Sequence, residues 1–146
     1  MNKNLSLNST VCAVQYCPVS DIIKNSIVLN VFKIDFASGK DWQDLYGTPG
    51  SMEFEFIQDL VGGNVVYKQK VSLFFPGMDS TNLSDFKNKP DTLYIVKVTL
   101  NNGDEYILGS KENPAQYMET WNTTKKGKNI SFWCDSADMP FLYGNS

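Results

Sequence analysis

The sequence predicts an all-β fold: an antiparallel sandwich or barrel with long loops and an N-terminal arm. Short runs rich in β-branched and aromatic residues recur, separated by turn signals roughly every 8–15 residues. Aromatic residues make up 13% of the chain, a share that suits pleated, half-buried surfaces. No alternation of strand and helix patterns exists that would build a parallel sheet. At 146 residues, with 42% hydrophobic and 20% charged, the chain has the material for one domain with its own core.

The elements follow in order. Residues 1–25 are polar apart from the patch Val11 to Tyr16, which Pro18 ends. They read as an N-terminal arm or an edge strand, with a short helical turn at Asp21–Lys24 and a single β domain in 26–146. Residues 27–36, IVLNVFKIDF, read as one mostly buried strand. ASGKDWQDLYGTPG then supplies turn chemistry at both ends, with a helical turn capped by Asp41 between them.

Residues 51–75 read as a hairpin. Met52, Phe54 and Phe56 alternate with Glu53 and Glu55, and Lys68 and Lys70 alternate with apolar residues on the return. A register with Glu53 opposite Lys70 and Glu55 opposite Lys68 puts opposite charges on one face and apolar residues on the other. On that reading the two glutamates are a solvated face and not an acid–base pair. Residues 76–92 are a polar loop rich in turn formers and a candidate contact surface.

TLYIVKVTL and EYILGS flank Asn102-Gly103, which predicts a tight hairpin of type I′. Asp104 and Glu105 lack the spaced ligands of a calcium loop. AQYMETWN and NISFWCDS form a second hairpin around the polar tip 123–128. MPFLY follows as a strand that Pro140 places at an edge.

The chemistry the residues exclude is broader than what they offer. There is no histidine, so the commonest general base and zinc ligand are missing. Gly62-Gly63 lacks the lysine and helix of a phosphate cradle. Asp41 with Asp44, or Asp135 with Asp138, are nominal acid pairs that read better as caps and turns. Cys12, Cys17 and Cys134 read as reduced thiols of a protein made in the cytoplasm, too few for structural zinc. The start has no apolar signal region and no stretch is long enough for a membrane helix. With a net charge of −3 and one short lysine cluster at 125–128, no nucleic-acid footprint is visible. The expectation is a protein without catalytic site, metal or cofactor.

Residues 93–143 carry a resemblance. LYIVKVTLNNGDEYILGSKENPAQY followed by NISFWCDSADMPFLY resembles small structural proteins of tailed phages and prophages of Bacteroidetes. The matching positions are Val96, Val98, Gly103, Leu108, Gly109, Pro114, Phe132 and Tyr143. The resemblance implies a virion component near the tail or head–tail connector, made in the bacterial host and assembled as a ring-like homo-oligomer. It implies partners among other virion proteins and no membrane.

The expected interface residues are Val11, Tyr16, Trp42, Tyr46, Phe86, Asn102, Trp121 and Lys126, with segments 1–25 and 76–92 at the contacts. The alternative is a monomeric β-sandwich module that binds carbohydrate or peptide through Trp42, Tyr46 and Trp121.

Overall fold

The computed structural model describes residues 10–29, 31–48, 50–77, 93–136 and 141–143. Among these, regular structure is β except for one short 3-10 turn, Val19–Asp21. The strands are β1 (Val11–Pro18), β2 (Ile22–Val28), β3 (Val31–Phe36), β4 (Gln43–Leu45), β5 (Glu53–Val61) and β6 (Asn64–Pro76). They continue with β7 (Tyr94–Leu100), β8 (Glu105–Leu108), β9 (Gln116–Asn122), β10 (Gly127–Ser136) and β11 (Phe141–Tyr143). The all-β expectation holds, and the strands form two sheets. One has seven strands in the order β2-β3-β11-β8-β7-β1-β4, the other four in the order β5-β6-β10-β9.

The main core lies between the sheets. β7 turns Tyr94, Val96, Val98 and Leu100 toward it, and β1 adds Val14 and Tyr16. The four-stranded sheet answers with Val71, Leu73 and Phe75 from β6 and Ile130, Phe132 and Cys134 from β10. Phe132 stacks on Tyr16 at 6.4 Å and meets Tyr94 edge-on at 5.5 Å. Each such side chain contributes about 1.5–3 kcal/mol on burial, so this layer outweighs any single surface pair.

The seven-stranded sheet has a second core on its other face. Cys17, Ile22, Phe32, Ile95 and Ile107 form it, with Phe36, Trp42 and Tyr143 packed against them. Chain connectivity explains how that face is covered. β3 and β4 are separated by β11, β8, β7 and β1, yet only residues 37–42 join them. A flat sheet would put them about 24 Å apart, at about 4.8 Å per strand. The link also turns on itself, with the Lys40 N–H donating to the Ala37 carbonyl at 3.0 Å. The sheet therefore curls, and Trp42 beside one edge strand meets Phe36 of β3 at 5.5 Å and Tyr143 of β11 at 5.7 Å.

Several expectations are corrected. Of the two readings for residues 11–25, arm or edge strand, the arm is replaced: β1 pairs with β7 on one side and β4 on the other, and β2 stands as an edge strand of the same sheet. The patch at Val11–Tyr16 is apolar because it faces the core. Residues 27–36 are two strands, because the chain reverses between Val28 and Val31, which pair. Leu29 takes φ 53° at this reversal. The helical turn at Asp21–Lys24 is replaced by Val19–Asp21 in 3-10 form, and that at Asp41–Tyr46 by β4. Asp41 still makes a local contact, accepting from the Trp42 N–H at 2.7 Å.

The β5–β6 hairpin exists in a different register: Glu55 lies opposite Lys70, and Glu53 opposite Ser72. The turn decides this. Gly62 and Gly63 both have positive φ, at 60° and 85°, so they close a two-residue loop and Val61 pairs with Asn64.

The β7–β8 hairpin is present, yet its turn is not type I′, since only Gly103 has positive φ, at 95°. The Gly103 N–H donates to the Leu100 carbonyl at 3.0 Å and the Leu100 N–H to the Asp104 carbonyl at 2.8 Å. This is a three-residue loop closed by a glycine bulge. Asn102 Oδ1 accepts from the Asp104 N–H at 2.9 Å and rigidifies it. The last strand is not at an edge: β11 sits between β3, to which it is parallel, and β8. Phe86 and most of the 76–92 loop lie outside the described residues.

Candidate functional site

The polar groups the fold brings together bind one another. Lys128, 0% exposed, sends its ammonium to Glu119 at 3.1 Å and lies 5.0 Å from the Trp121 ring centre. The Tyr117 hydroxyl donates to the same Glu119 oxygen. Burial opposes ionisation of Glu119, but the bonds from Tyr117 and Lys128 outweigh it and hold the carboxyl below its ordinary range. Burial and the Glu119 carboxylate push Tyr117 far upward, so it stays a neutral donor. Lys97 is likewise caged, 5.2 Å from Trp42, 4.9 Å from Tyr143 and 3.7 Å from Glu105. Both clusters are closed structural pairs.

The thiols divide by place. Cys12 is exposed, while Cys17 and Cys134 are buried. Burial pushes Cys17 up to about 12 and Cys134 up to about 11, which removes nucleophilic thiolate at neutral pH. Asp44 accepts from the Gln15 side chain at 2.6 Å, and Asp138 lies outside the described residues.

What remains is surface. Among the described residues, β10 pairs with β6 from Tyr67 to Pro76, so the end of the β5–β6 hairpin, residues 59–66, extends past it as a two-stranded ribbon. Leu60, Val61 and Val65 are exposed on it, Leu60 at 69%, and Ile57 is exposed at its base. Beside its base, Ile57, Met118 and Trp133 line a shallow depression of about 380 Å³. Glu55, Lys68, Lys70 and Asp135 rim it with both signs of charge. Among the described residues, no strand pairs with the outer side of β5 or of β9.

No family model, curated protein or solved structure was found to match this chain.

The expected interface residues scatter. Val11 and Tyr16 are core residues of their own chain and are withdrawn as contacts. Trp42 is half-buried, packed against the second core. Tyr46 is exposed at the β4 edge, beside a depression of about 330 Å³ that Cys12 and Met52 also line. Asn102 is exposed on the β7–β8 turn. Trp121 and Lys126 do fall together, at the β9–β10 end of the four-stranded sheet. Trp42 and Trp121 stand on different sheets, so they do not form one sugar-stacking platform.

The ribbon was missed in the sequence. Its signal was there in DLVGGNVV, which sets apolar pairs on both sides of a two-glycine turn. Nothing in the sequence says that, among the described residues, no strand lies beside those pairs.

Proposed function

We propose that this chain is a non-enzymatic structural subunit of a tailed-phage particle, assembled through its sheet edges into a tail or head–tail connector ring. The observation that carries the assembly part is the ribbon at residues 59–66, whose apolar side chains are exposed and have no strand beside them among the described residues. A two-stranded ribbon is marginal in water, so exposing branched aliphatics on one costs solubility without adding to the core. Contact with a partner offsets that cost. The open outer sides of β5 and β9 support the same reading, because unpaired strand edges recruit other chains. The phage part rests on the resemblance at residues 93–143, and with it the virion location and the other virion proteins as partners.

The test is mass spectrometry of density-purified particles from the source culture. The expected result is this chain at a fixed ratio to a capsid protein, several copies per particle. Its absence from particles overturns the virion reading.

The depression walled by Trp133 favours one rival, a monomeric carbohydrate- or peptide-binding module. An aromatic face with a mixed-charge rim suits a polar ligand that stacks. Under that reading, glycan titration shifts tryptophan emission and Trp133→Ala abolishes the shift. Under the assembly reading, the emission does not respond.

A further inference from the structure

We propose that copies of this chain join through the two open edges of the four-stranded sheet, β5 of one copy pairing antiparallel with β9 of the next. This rests on the assembly reading above and specifies its junction.

Strand direction supplies the geometry. The sheet has four strands and every neighbouring pair is antiparallel. With an even number, β5 and β9 run in opposite directions. A second copy brought in by a rotation that continues the sheet lays its β5 antiparallel to β9, the better-bonded arrangement. The contact is head-to-tail, so repetition closes a ring or runs on as a filament.

Charge selects this pairing over a two-fold one. β5 carries Glu53, Glu55 and Asp59 and no base. Two β5 strands paired about a two-fold axis would set acids against acids, which is destabilising. β9 runs into the turn at 123–126, where Lys125 and Lys126 are exposed. In the β5–β9 junction that end of β9 lies beside the start of β5, so the lysines approach Glu53 and Glu55.

Side-chain phase agrees. Phe54 lies opposite Val71, Val71 opposite Phe132, and Phe132 opposite Tyr117, so Phe54 and Phe56 share a sheet face with Tyr117 and Trp121. Ile57 and Met118 share the other face. A register with Ile57 opposite Met118 sets Phe54 opposite Trp121 and Glu53 opposite Asn122. Phe56 is then diagonal to Trp121, within reach of aromatic side chains. Four half-exposed apolar residues of these two edges, Phe56, Ile57, Met118 and Trp121, at 42%, 54%, 53% and 40%, fall within this register, while Leu60 and Val61 lie beyond it. One junction covers all four.

The experiment is sedimentation velocity on the full chain at about 50 mM salt, where surface charge is weakly screened. Glu53→Lys alone, and Lys125→Glu with Lys126→Glu, are each expected to weaken self-association about fivefold, and their combination to restore it. Unchanged thermal unfolding of each variant shows that the fold is intact. In a Cys12→Ser background, Ile57→Cys with Met118→Cys is expected to cross-link copies into a ladder under mild oxidation. A wild type that assembles while the charge variants behave like it and no ladder forms overturns this junction and leaves the assembly reading standing. A wild type that stays monomeric at all attainable concentrations overturns both.

Discussion

Lys128 shows what one buried charge requires. Its ammonium has no solvent exposure, and Glu119 is the carboxylate that balances it. Removing one partner of a buried pair leaves the other uncompensated, whereas replacing the cation with an apolar group of similar size is often neutral. Glu119→Gln is therefore expected to cost about 1.5–3 kcal/mol at pH 7, the range for a hydrogen bond to a charged group. Lys128→Met is expected to cost less. The pH dependence has a fixed sign. The folded pKa of Glu119 lies below its ordinary 4.5, so its contribution is fully present above 4.5 and fades as pH falls through the folded value. Urea unfolding of wild type and Glu119→Gln should show a gap at pH 7 that closes below pH 4.5. A gap that persists to acid pH would mean that the carboxylate's charge is not what matters.

Among the elements, β6 spans two environments along one strand. Residues 67–72 lie between β5 and β10, while residues 64–66 pair with β5 alone among the described residues. Local opening follows the number of partners, so amide exchange should be fast over 59–66 and slow over 69–72. Uniform protection along β6 in the isolated chain would mean that the ribbon is covered by a segment of its own molecule. Where the sequence was legible, the signal was local. Gly103 announced the β7–β8 hairpin, and alternation over 52–56 and 67–71 announced β5 and β6 and their faces. Registers and turn types were less legible, because one glycine in the left-handed region fits both a type I′ turn and a glycine bulge. The true register of β5 and β6 follows from Gly62-Gly63 closing the loop directly, a choice that the apolar residues around it did not reveal. Leu29 gave no warning of a reversal at all, being an apolar residue inside an apolar run. The candidate site was the least legible part. Trp121 and Lys126 were singled out by their type alone, whereas the open edges and the ribbon depend on which strands end beside which.

At the scale of the whole molecule, the curled seven-stranded sheet separates two cores by the thickness of one sheet. Trp42 closes the second, touching Phe36 and Tyr143 and covering Lys97. Trp42 is half-buried, so Trp42→Ala is expected to destabilise the chain by about 2–3 kcal/mol, less than the roughly 3–5 kcal/mol for deleting a fully buried aromatic. Calorimetry checks it, and a loss below about 1 kcal/mol would mean that the seam does not carry the sheet's closure. This curling was invisible in sequence because it arises from β3 and β4, joined by six residues, standing far apart in strand order. It also leaves β7 without a free face: Tyr94, Val96 and Val98 fill one core and Ile95 the other. Over generations, such a strand has almost no room to drift, since any change of size or polarity at Tyr94–Val98 meets a packed neighbour. The ribbon at 59–66 has exposed side chains that meet no such packed layer, so it is freer to change. Descendants of this chain should therefore be easiest to trace through YIVKV and hardest to trace through the tip of the β5–β6 hairpin.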